Sequence, residues 1–452
     1  MRSTHRASLT VFATAMLHFA FPAHGADSQP LFSARDPSSG KWGFISRSGN
    51  LAIGYHFDRI YDGFSDGLAI VCAEGKWGVI DEAASFVVRP LYDEILPFSC
   101  GLAVAAKGDT WHNRAWGYID RKGDVAIPLQ YCFATPFSEG VAYVTSCRGD
   151  GRRGYIDTKG TWIIDLPSGH HGFPFHNGMA RCGIEHATEK RISRYGFIDR
   201  SGKLVIPADF DYAGDFSEGL APVVFDLKTE DDLARGFGKG GFIDTTGKLV
   251  INIGTNYHPV SYIDGFHEGL AHIRRKSDGR WGFIDQRGRL AIEPQFEDHW
   301  PPVHLPFSEG LAVVWHEGQE GYIAKDGKWV IAPAYDEASS FSHGLARVTL
   351  NEGTGYIDKT GKYVWGPKGG YRYEGGDGVT QARAVRIVGA SSREQGVNAE
   401  YRWLKKRHPN HEVKRQSLLR HDGKDYDVIE ITTKDKQSLT IYFDISEFMR
   451  LQ

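Results

Sequence analysis

The chain has few sulfur residues and almost no long apolar stretch. Its 452 residues include 5 Cys and 4 Met. No two cysteines have the C-x-x-C spacing that zinc and thiol-redox sites usually show, which argues against both kinds of site. The one extended apolar stretch, residues 7–21, is shorter than the ~18 residues that a membrane-spanning helix needs.

That apolar stretch fits the layout of a secretory signal peptide. The basic segment MRSTHR precedes it, and Ala23-His24-Gly25 follows with small residues at the two positions that signal peptidase recognises. We therefore expect residues 1–25 to be a signal peptide and the protein to be periplasmic or secreted. We expect no transmembrane anchor after signal removal.

Charge of one sign is not in excess. Lys and Arg total 53 and Asp and Glu total 56, a net charge of −3. The chain thus lacks the basic surface that nucleic acids require, and no nucleic-acid partner is expected. The 54 glycines and 13% aromatic residues favour strands joined by tight turns over helices.

Recognisable catalytic motifs are also absent. The P-loop, the dinucleotide fingerprint, the G-x-S-x-G elbow and H-E-x-x-H do not occur. His170, His171 and His176 form the one dense histidine group and the one candidate metal cluster, although a structural role suits them as well. The sequence therefore predicts no catalytic, cofactor-binding or metal residues, no cofactor, and a protein that is not an enzyme.

The five cysteines leave two interpretations open. In an oxidising compartment some could pair across neighbouring repeats, and the odd count would leave one free. Buried free thiols are the alternative. The residues concerned are Cys72, Cys100, Cys132, Cys147 and Cys182.

Repetition is what the chain has in abundance. Gly-aromatic-Ile, with Val once replacing the aromatic residue, occurs nine times at intervals of 34 to 45 residues. Phe-x-x-Gly-x-Ala occurs eight times between these copies. The first set of glycines is Gly43, Gly78, Gly117, Gly154, Gly196, Gly241, Gly282, Gly321 and Gly355; the second is Gly67, Gly101, Gly140, Gly178, Gly219, Gly269, Gly310 and Gly344.

Each repeat contains three short strand candidates, for example 310–314, 281–284 and 289–292. Asp-x-x-Gly joins the last two, which is typical of a type I turn closed by a residue with positive φ. The sequence thus predicts an all-β repeat array of about nine three-stranded antiparallel units.

The two glycine motifs differ in what they tolerate. The residue before the first glycine varies from Trp to Arg, Glu or Thr, whereas the glycine never changes. A fixed glycine inside a strand indicates close approach by backbone or by an aromatic ring. We interpret the Phe of the second motif as packing one unit against its neighbour, with Ala leaving room; stacking of these aromatics on sugar rings is the alternative.

Loop length varies most between residues 181 and 305. The longest predicted hairpin tips are 181–194 and 225–239, and the stretches 256–262 and 299–305 are also longer than their counterparts. Because loops on a rigid scaffold commonly carry binding, this region is the predicted recognition surface. Neutral variation in loop length is the alternative.

The lines KWGFI and WGYID, followed by I-x-P and FSEGLA, resemble the WG (KWG) repeat family of bacteria over residues 31–366. The resemblance implies an all-β array that serves as a binding or scaffolding module without catalysis. Units at 151–169 and 240–262 lack the Trp before the glycine and the I-P element. These two units are therefore not expected to stack as uniformly as the others. Residues 31–34 could open the first unit, and nine units, more than the usual four to eight propeller blades, favour an open or superhelical array over a propeller-like one.

The C-terminal segment differs in character. Residues 367–379 are a predicted Gly-rich linker, and 380–452 a small α+β domain of order β-α-β-β, with Ser391 or Ser392 capping its helix. From Lys368 onward there are 16 Lys and Arg against 12 Asp and Glu. The basic residues 405–407 and 414–415 could dock on the acidic array or on an anionic envelope surface, or be a solvated face.

For the function, we expect a non-enzymatic exported binding or scaffold protein whose array presents variable hairpin tips to an envelope protein. One alternative is a cell-wall or glycan-binding module that uses aromatics such as Trp111 and Trp300. A second alternative is an envelope enzyme with a site between units.

Overall fold

The computed structural model describes residues 30–108, 113–185, 194–227, 238–254, 256–258, 265–297, 305–351, 353–368, 371–390 and 392–449. The predicted signal peptide lies outside these residues. Within them the chain forms nine consecutive antiparallel β units, followed by a small α+β domain. The predicted fold class is confirmed.

The first five units occupy residues 31–210, and two of them share a sheet. β8 to β14 form one seven-stranded sheet because β11 pairs with both β10 and β12. The strands are β1 (Leu31–Arg35), β2 (Trp42–Ser46), β3 (Leu51–Phe57), β4 (Arg59–Ile60), β5 (Leu68–Ala73), β6 (Lys76–Asp81), β7 (Phe86–Tyr92), β8 (Glu94–Ile95), β9 (Leu102–Lys107), β10 (Ala115–Asp120), β11 (Val125–Ala134), β12 (Val141–Ser146), β13 (Arg153–Asp157), β14 (Trp162–Asp165), β15 (His170–His176), β16 (Met179–Ile184), β17 (Arg194–Ile198) and β18 (Leu204–Phe210).

The remaining four units follow the same order, and some begin with a two-residue strand in addition to the three predicted ones. Their strands are β19 (Tyr212–Ala213), β20 (Leu220–Phe225), β21 (Lys239–Asp244), β22 (Leu249–Asn252), β23 (Leu270–Arg274), β24 (Trp281–Asp285), β25 (Leu290–Phe296), β26 (Leu311–His316), β27 (Gln319–Ala324), β28 (Trp329–Tyr335), β29 (Glu337–Ala338), β30 (Leu345–Leu350), β31 (Gly353–Asp358) and β32 (Tyr363–Lys368).

The Asp-x-x-Gly turns have the predicted geometry. At Asp120 the carboxylate accepts hydrogen bonds from the backbone N–H groups of Lys122 (2.8 Å) and Asp124 (3.0 Å). Gly123 closes the turn with φ +90°. The repeated aspartates are therefore turn residues.

In seven of the nine described units the first-motif glycine lies where the third strand bulges toward the second; the exceptions are Gly154 and Gly241. Opposite Gly282 the pairing jumps from Trp281↔Phe296 to Phe283↔Ile292. A Cβ on Gly282 would stand 2.5 Å from the carbonyl oxygen of Ile292. The predicted close approach is confirmed, and the neighbour is backbone.

The second-motif glycines close two-residue hairpins. In Ser65-Asp66-Gly67-Leu68 the end residues exchange both backbone hydrogen bonds, and the central residues have φ of 51° and 74°. These angles define a type I′ turn, which requires positive φ twice and therefore favours glycine. The sequence pattern did not lead us to predict this turn.

The phenylalanine of the second motif packs between units, as predicted. The ring of Phe341 lies 4.8 Å from that of Tyr322 in the preceding unit, and both side chains are at most 1% exposed. The same pair recurs around the array at centroid distances of 4.7 to 5.0 Å. The other pairs are Phe44–Phe64, Tyr118–Phe137, Tyr155–Phe175, Phe197–Phe216, Phe242–Phe266 and Phe283–Phe307.

The array closes on itself, and the expectation of an open or superhelical array was wrong. Phe32 of the first unit packs on Tyr356 of the last (5.5 Å), whose hydroxyl donates to the Ser33 carbonyl at 2.8 Å. Tyr322 makes the same kind of bond to Ser339 in the neighbouring unit, also at 2.8 Å. The first and last units therefore form a seam like the others.

One residue explains the closure. The first unit has no type I′ turn among the described residues, and so no turn phenylalanine. Phe32 pairs with Ile45, in the register position that Ala346 holds opposite Ile357 in the last unit. A phenylalanine there fills the space that alanine elsewhere leaves for the turn phenylalanine.

The two degenerate units stack like the rest. β12 to β14 and β20 to β22 keep the strand order of a regular unit, although the bulge opposite the glycine is missing. Gly202 and Gly288, in the turns of the units that follow them, would place a Cβ 2.6 and 2.8 Å from the side chains of Ile164 and Ile251. Missing motif residues therefore do not interrupt the ring.

The C-terminal domain is a five-stranded sheet with one helix packed on it. Part of the predicted linker is a strand of this sheet, Arg372–Gly375, because it pairs with the strand after it. Ser392 caps the helix by accepting a hydrogen bond from the Gln395 N–H (3.1 Å). It is one of the two residues predicted as the cap. The elements are β33 (Arg372–Gly375), a 3-10 turn (Gln381–Arg383), β34 (Val385–Val388), α1 (Arg393–Arg407), β35 (Glu412–His421), β36 (Lys424–Thr432) and β37 (Ser438–Asp444), in sheet order β33-β34-β37-β36-β35.

Candidate functional site

The ring has two faces that differ in how much they vary. We call the face with the type I′ and Asp-x-x-Gly turns the turn face. The opposite ends of the same strands carry the hairpin tips, for example Glu74–Gly75 and Glu317–Gly318, and form the tip face. Because antiparallel strands alternate direction, every unit contributes to both faces.

On the turn face, a carboxylate of one unit binds the turn of the next. Glu309 accepts from the Gly344 N–H at 3.0 Å and pairs with the Lys359 ammonium at 3.1 Å. Glu268 does the same with Gly310 (3.0 Å) and Lys325 (3.1 Å). This contact explains why glutamate is found at a position with positive φ, which is strained for a non-glycine residue.

The two ends of this contact change together. Where the turn residue is Cys100 or Asn177 instead of an acid, the corresponding position of the next unit is Thr158 or Thr245 instead of a cation. Glu139 and Glu218 face Arg200 (2.7 Å) and Gln286 (2.8 Å). Matched pairs of this kind hold neighbouring units together, so we assign the turn face to the scaffold.

The seam that closes the ring lacks this contact. The position that holds glycine in other turns is Pro30, which has no N–H, and the residue facing it in the last unit is His343 instead of glutamate. Both hydrogen-bonding partners are therefore replaced together. Arg47, Pro30 and His343 line an open groove along the seam.

On the tip face, the carboxylate after the third strand of one unit caps the tip of the next. Asp93 accepts from the Gly108 N–H at 2.9 Å and pairs with Lys76 at 2.5 Å. These interactions, led by the hydrogen bond from Lys76, lower the pKa of Asp93. Asp58 has the same role toward Lys41, at 2.5 Å.

One disulfide takes the place of this cap. Cys132 stands where other units have Asp, and it bonds to Cys147 in the tip of the next unit, 15 residues on. Cys72 and Cys182 are buried free thiols, and burial raises the pKa of Cys182 to about 11; Cys100 is free and exposed. Comparing Cys132 with the aspartates at the same repeat position would have identified the pair from sequence.

The fourth and fifth units carry arginines over half-buried aromatic rings. The Arg152 guanidinium lies 4.1 Å from the Trp162 ring centroid and pairs with Asp165 at 2.6 Å. The Arg181 guanidinium lies 3.8 Å from the Phe173 ring. These are planar surfaces with fixed charge at the edge of the predicted recognition region.

The predicted histidine group is not one cluster. His170 and His176 are at opposite ends of β15, which puts their backbones roughly 20 Å apart at ~3.3 Å per residue. His171 pairs with Glu185 at 2.7 Å, whereas His176 lies 3.9 Å from Asp215. The described part of the chain contains no group of three or more His, Cys, Asp and Glu side chains that could hold a metal ion.

Several predicted recognition residues lie outside the described residues. They are Trp111, Trp300, most of the tips 181–194 and 225–239, and parts of 256–262 and 299–305. The strands that carry the two long tips, β16, β17, β20 and β21, end on the tip face.

Glu320 occupies the variable position before a first-motif glycine. Its side chain is 1% exposed and accepts a hydrogen bond from the Ala338 N–H. Burial is the main cause that raises its pKa to about 7. The carboxyl takes the position that a tryptophan holds in the core of other units. From sequence alone, this buried glutamate could not have been distinguished from an exposed one.

The C-terminal domain contains a buried carboxyl pair that sequence analysis missed. Glu400 on α1 is fully buried and Asp427 on β36 is 4% exposed. Burial first, and then the charge of Asp427, raise the pKa of Glu400 to about 10. Glu400 is therefore neutral at pH 7, and Asp427 accepts a hydrogen bond from Gln416.

This domain contacts the last unit on the tip face. Arg402 of α1 pairs with Asp336 at 3.2 Å, and the Tyr371 N–H donates to the Asn351 carbonyl at 3.2 Å. The predicted basic residues Lys405, Lys406, Arg407, Lys414 and Arg415 are exposed. The cation that meets the array is thus Arg402, which the sequence analysis did not single out.

These features define a closed ring of repeated β units with recurring contacts between units on the turn face and hairpin tips of varied length on the tip face. The family model of the WG containing repeat matches residues 42–77, 77–111, 116–145, 195–226, 281–314 and 321–353. The chain is a WG-repeat protein. In the described residues no helix is both long and apolar enough to cross a membrane.

Solved structures resemble the chain only distantly. One is described as the eukaryotic initiation factor, with a TM-score of 0.48 and 11% identity over 75% of this chain and 95% of that one. Another is a protein of unknown function from Bacteroides caccae, with a TM-score of 0.23 and 14% identity over 50% and 93%. No curated protein sequence matches the chain.

Proposed function

We propose that this protein is an exported, non-enzymatic binding scaffold whose tip face recognises a protein partner of the cell envelope. The observation that carries the proposal is the contrast between the faces. On the turn face the same contact recurs between several pairs of neighbouring units, as in Glu309 with Gly344 and Lys359. The tips differ in length and charge from unit to unit, as binding loops on a scaffold do.

Export is supported by the signal-like N-terminus and by the disulfide. Cys132 and Cys147 are both exposed and bonded. Exposed disulfides persist in oxidising compartments and are rare in reducing ones.

Shortening one long tip tests the proposal. Residues 228–237 would be replaced by a Glu-Gly turn like that at Glu317–Gly318. Because the flanking strands β20 and β21 pair along their length, we expect an unchanged unfolding midpoint and at least tenfold less partner in cross-linked pull-downs from envelope extract. The control replaces the six-residue tip 36–41 in the first unit in the same way. Equal capture by both variants and the parent would contradict the proposal.

A glycan is the second candidate ligand, because the half-buried rings of Trp162 and Phe173 lie under arginines. Aromatic faces and guanidinium groups also suit sugar rings and their carboxylates. Co-sedimentation with peptidoglycan separates the two: binding that is lost in a Trp162→Ala variant supports a glycan, and no co-sedimentation removes it.

A further inference from the structure

The last-but-two strand of the chain, β35, forms an unpaired edge of the C-terminal sheet. It spans Glu412–His421, and all ten residues are exposed. Among the described residues, its only strand neighbour in the sheet is β36. Half of the N–H and C=O groups of such an edge point away from the neighbouring strand.

Natural edge strands usually carry features that prevent further pairing, such as charges, proline or bulges. β35 has one bulge, between Val413 and Arg415. Beyond it the strand pairs regularly from Arg415↔Glu430 to His421↔Lys424, without proline. Seven residues of regular edge therefore remain beyond the bulge, and their charges decide which strand can pair there.

The side chains of this edge include exposed apolar groups. Leu418 is 63% exposed and Leu419 is 40% exposed. They project to opposite sides of the sheet, since side chains alternate along a strand. On the Leu418 side, Gln416 accepts a hydrogen bond from Tyr401 of α1 (2.7 Å), so an added strand there would also meet the helix.

The charge of the edge selects the kind of strand. β35 carries Lys414, Arg415 and Arg420 against a single acid, Glu412. The helix end at 405–407 adds three more cations just before it. A second copy of β35 would bring like charges together, whereas an acidic segment would be attracted.

We propose that β35 binds an extended acidic segment of a partner protein as a sixth strand of the sheet. Backbone hydrogen bonds to the free edge supply affinity, as in other strand-addition complexes, and Leu418 and Leu419 contact alternate apolar side chains of the segment. The site is separate from the tip loops, and its test does not depend on them.

Binding of a labelled peptide to the full chain tests the proposal. The probe is a ten-residue peptide that alternates Glu and Val. Its binding is measured by fluorescence anisotropy. Two versions N-methylated on alternate residues, one for each set, keep the charge but block one edge of the peptide. We expect one N-methylated version to bind at least tenfold more weakly than the parent, and a Lys-Val peptide not to bind.

Two variants of the protein locate the site. Arg415→Glu and Leu418→Asp should each weaken peptide binding at least fivefold, because they reverse a charge or remove an apolar contact at the edge. Lys434→Glu, in the exposed turn after β36, is the matched control and should bind like the parent. Equal binding of both N-methylated peptides would overturn the proposal, as would loss of binding in the control or sedimentation as a dimer that Leu418→Asp dissociates.

Discussion

At the scale of single residues, two kinds of invariant glycine have different physical causes. Gly282 stands in an extended strand, and an added Cβ would meet the backbone of Ile292 at 2.5 Å. Gly310 has open space around it but a φ of +86°. The first position is limited by contact and the second by conformation.

Alanine at each of these positions separates the two causes. We expect Gly282→Ala to cost about 3 kcal/mol, since backbone must move in a packed sheet. Gly310→Ala should cost about 1 kcal/mol, the strain of positive φ alone. Urea unfolding followed by tryptophan fluorescence measures both. A Gly310→Ala variant as unstable as Gly282→Ala would contradict this assignment.

The buried Glu320 predicts a pH dependence of stability. Folding raises its pKa from 4.5 to about 7, so the folded chain binds this proton more tightly than the unfolded chain. The free energy of unfolding should therefore fall between about pH 4.5 and pH 7 and then level off.

Glu320→Gln removes this ionisation and should stabilise the protein above pH 7, by up to about 3 kcal/mol. Unfolding midpoints at a series of pH values measure the effect. Glu317→Gln, whose side chain is 83% exposed, is the control and should leave the pH profile of the parent unchanged. An identical profile for Glu320→Gln would show that the carboxyl is not the cause.

At the scale of elements, one covalent link replaces a polar contact that recurs in the ring. Cys132–Cys147 closes a loop with a sequence separation of 15. The double variant Cys132→Ser/Cys147→Ser should lower the free energy of unfolding by about 3 kcal/mol relative to the oxidised parent. Unfolding of the parent with and without reductant measures the same difference. Cys100→Ser, at the exposed free thiol, is the control and should have little effect.

The repeat position of Cys132 allows a rescue. Cys132→Asp/Cys147→Ser should regain about 1 kcal/mol over the double serine variant, because aspartate at this position accepts a tip N–H in other units, as Asp93 does from Gly108 at 2.9 Å. No regain would mean that the fourth tip cannot adopt the capped geometry.

The elements were largely predictable because they recur. Nine copies of Gly-aromatic-Ile marked the second strand of every unit, and the aspartate turns followed from local chemistry. The partners on the turn face were not found, because Glu309 and Lys359 occupy variable positions that change together. The edge strand β35 was missed as well, because its residues do not alternate between buried apolar and exposed polar side chains.

At the scale of the whole molecule, closure depends on contacts that no local pattern marks. Phe32 replaces an alanine of the repeat, and Tyr356 bonds to Ser33 across 323 residues of sequence. The number of units argued for an open array, but one larger side chain in the first strand fills the seam. The candidate recognition tips could be placed by their loop length, whereas their ligand has no signature in the sequence.

Because the ring is closed, equivalent tyrosines on different seams should contribute equally to the free energy of unfolding. Tyr356→Phe removes the bond to Ser33, and Tyr322→Phe removes the bond to Ser339, both 2.8 Å long. We expect each variant to lose about 1 kcal/mol, within about 0.5 kcal/mol of the other. Thermal unfolding at constant pH measures the pair. A silent Tyr356→Phe beside a destabilising Tyr322→Phe would indicate an open seam.

A linear solenoid frays from its ends, because each terminal repeat has one neighbour and needs a polar cap. In this protein the Phe32–Tyr356 contact gives the first and last units a neighbour on both sides. No unit is then the natural starting point of melting, and loosening any one of them breaks two seams at once. Closure thus makes the nine units unfold as one cooperative domain.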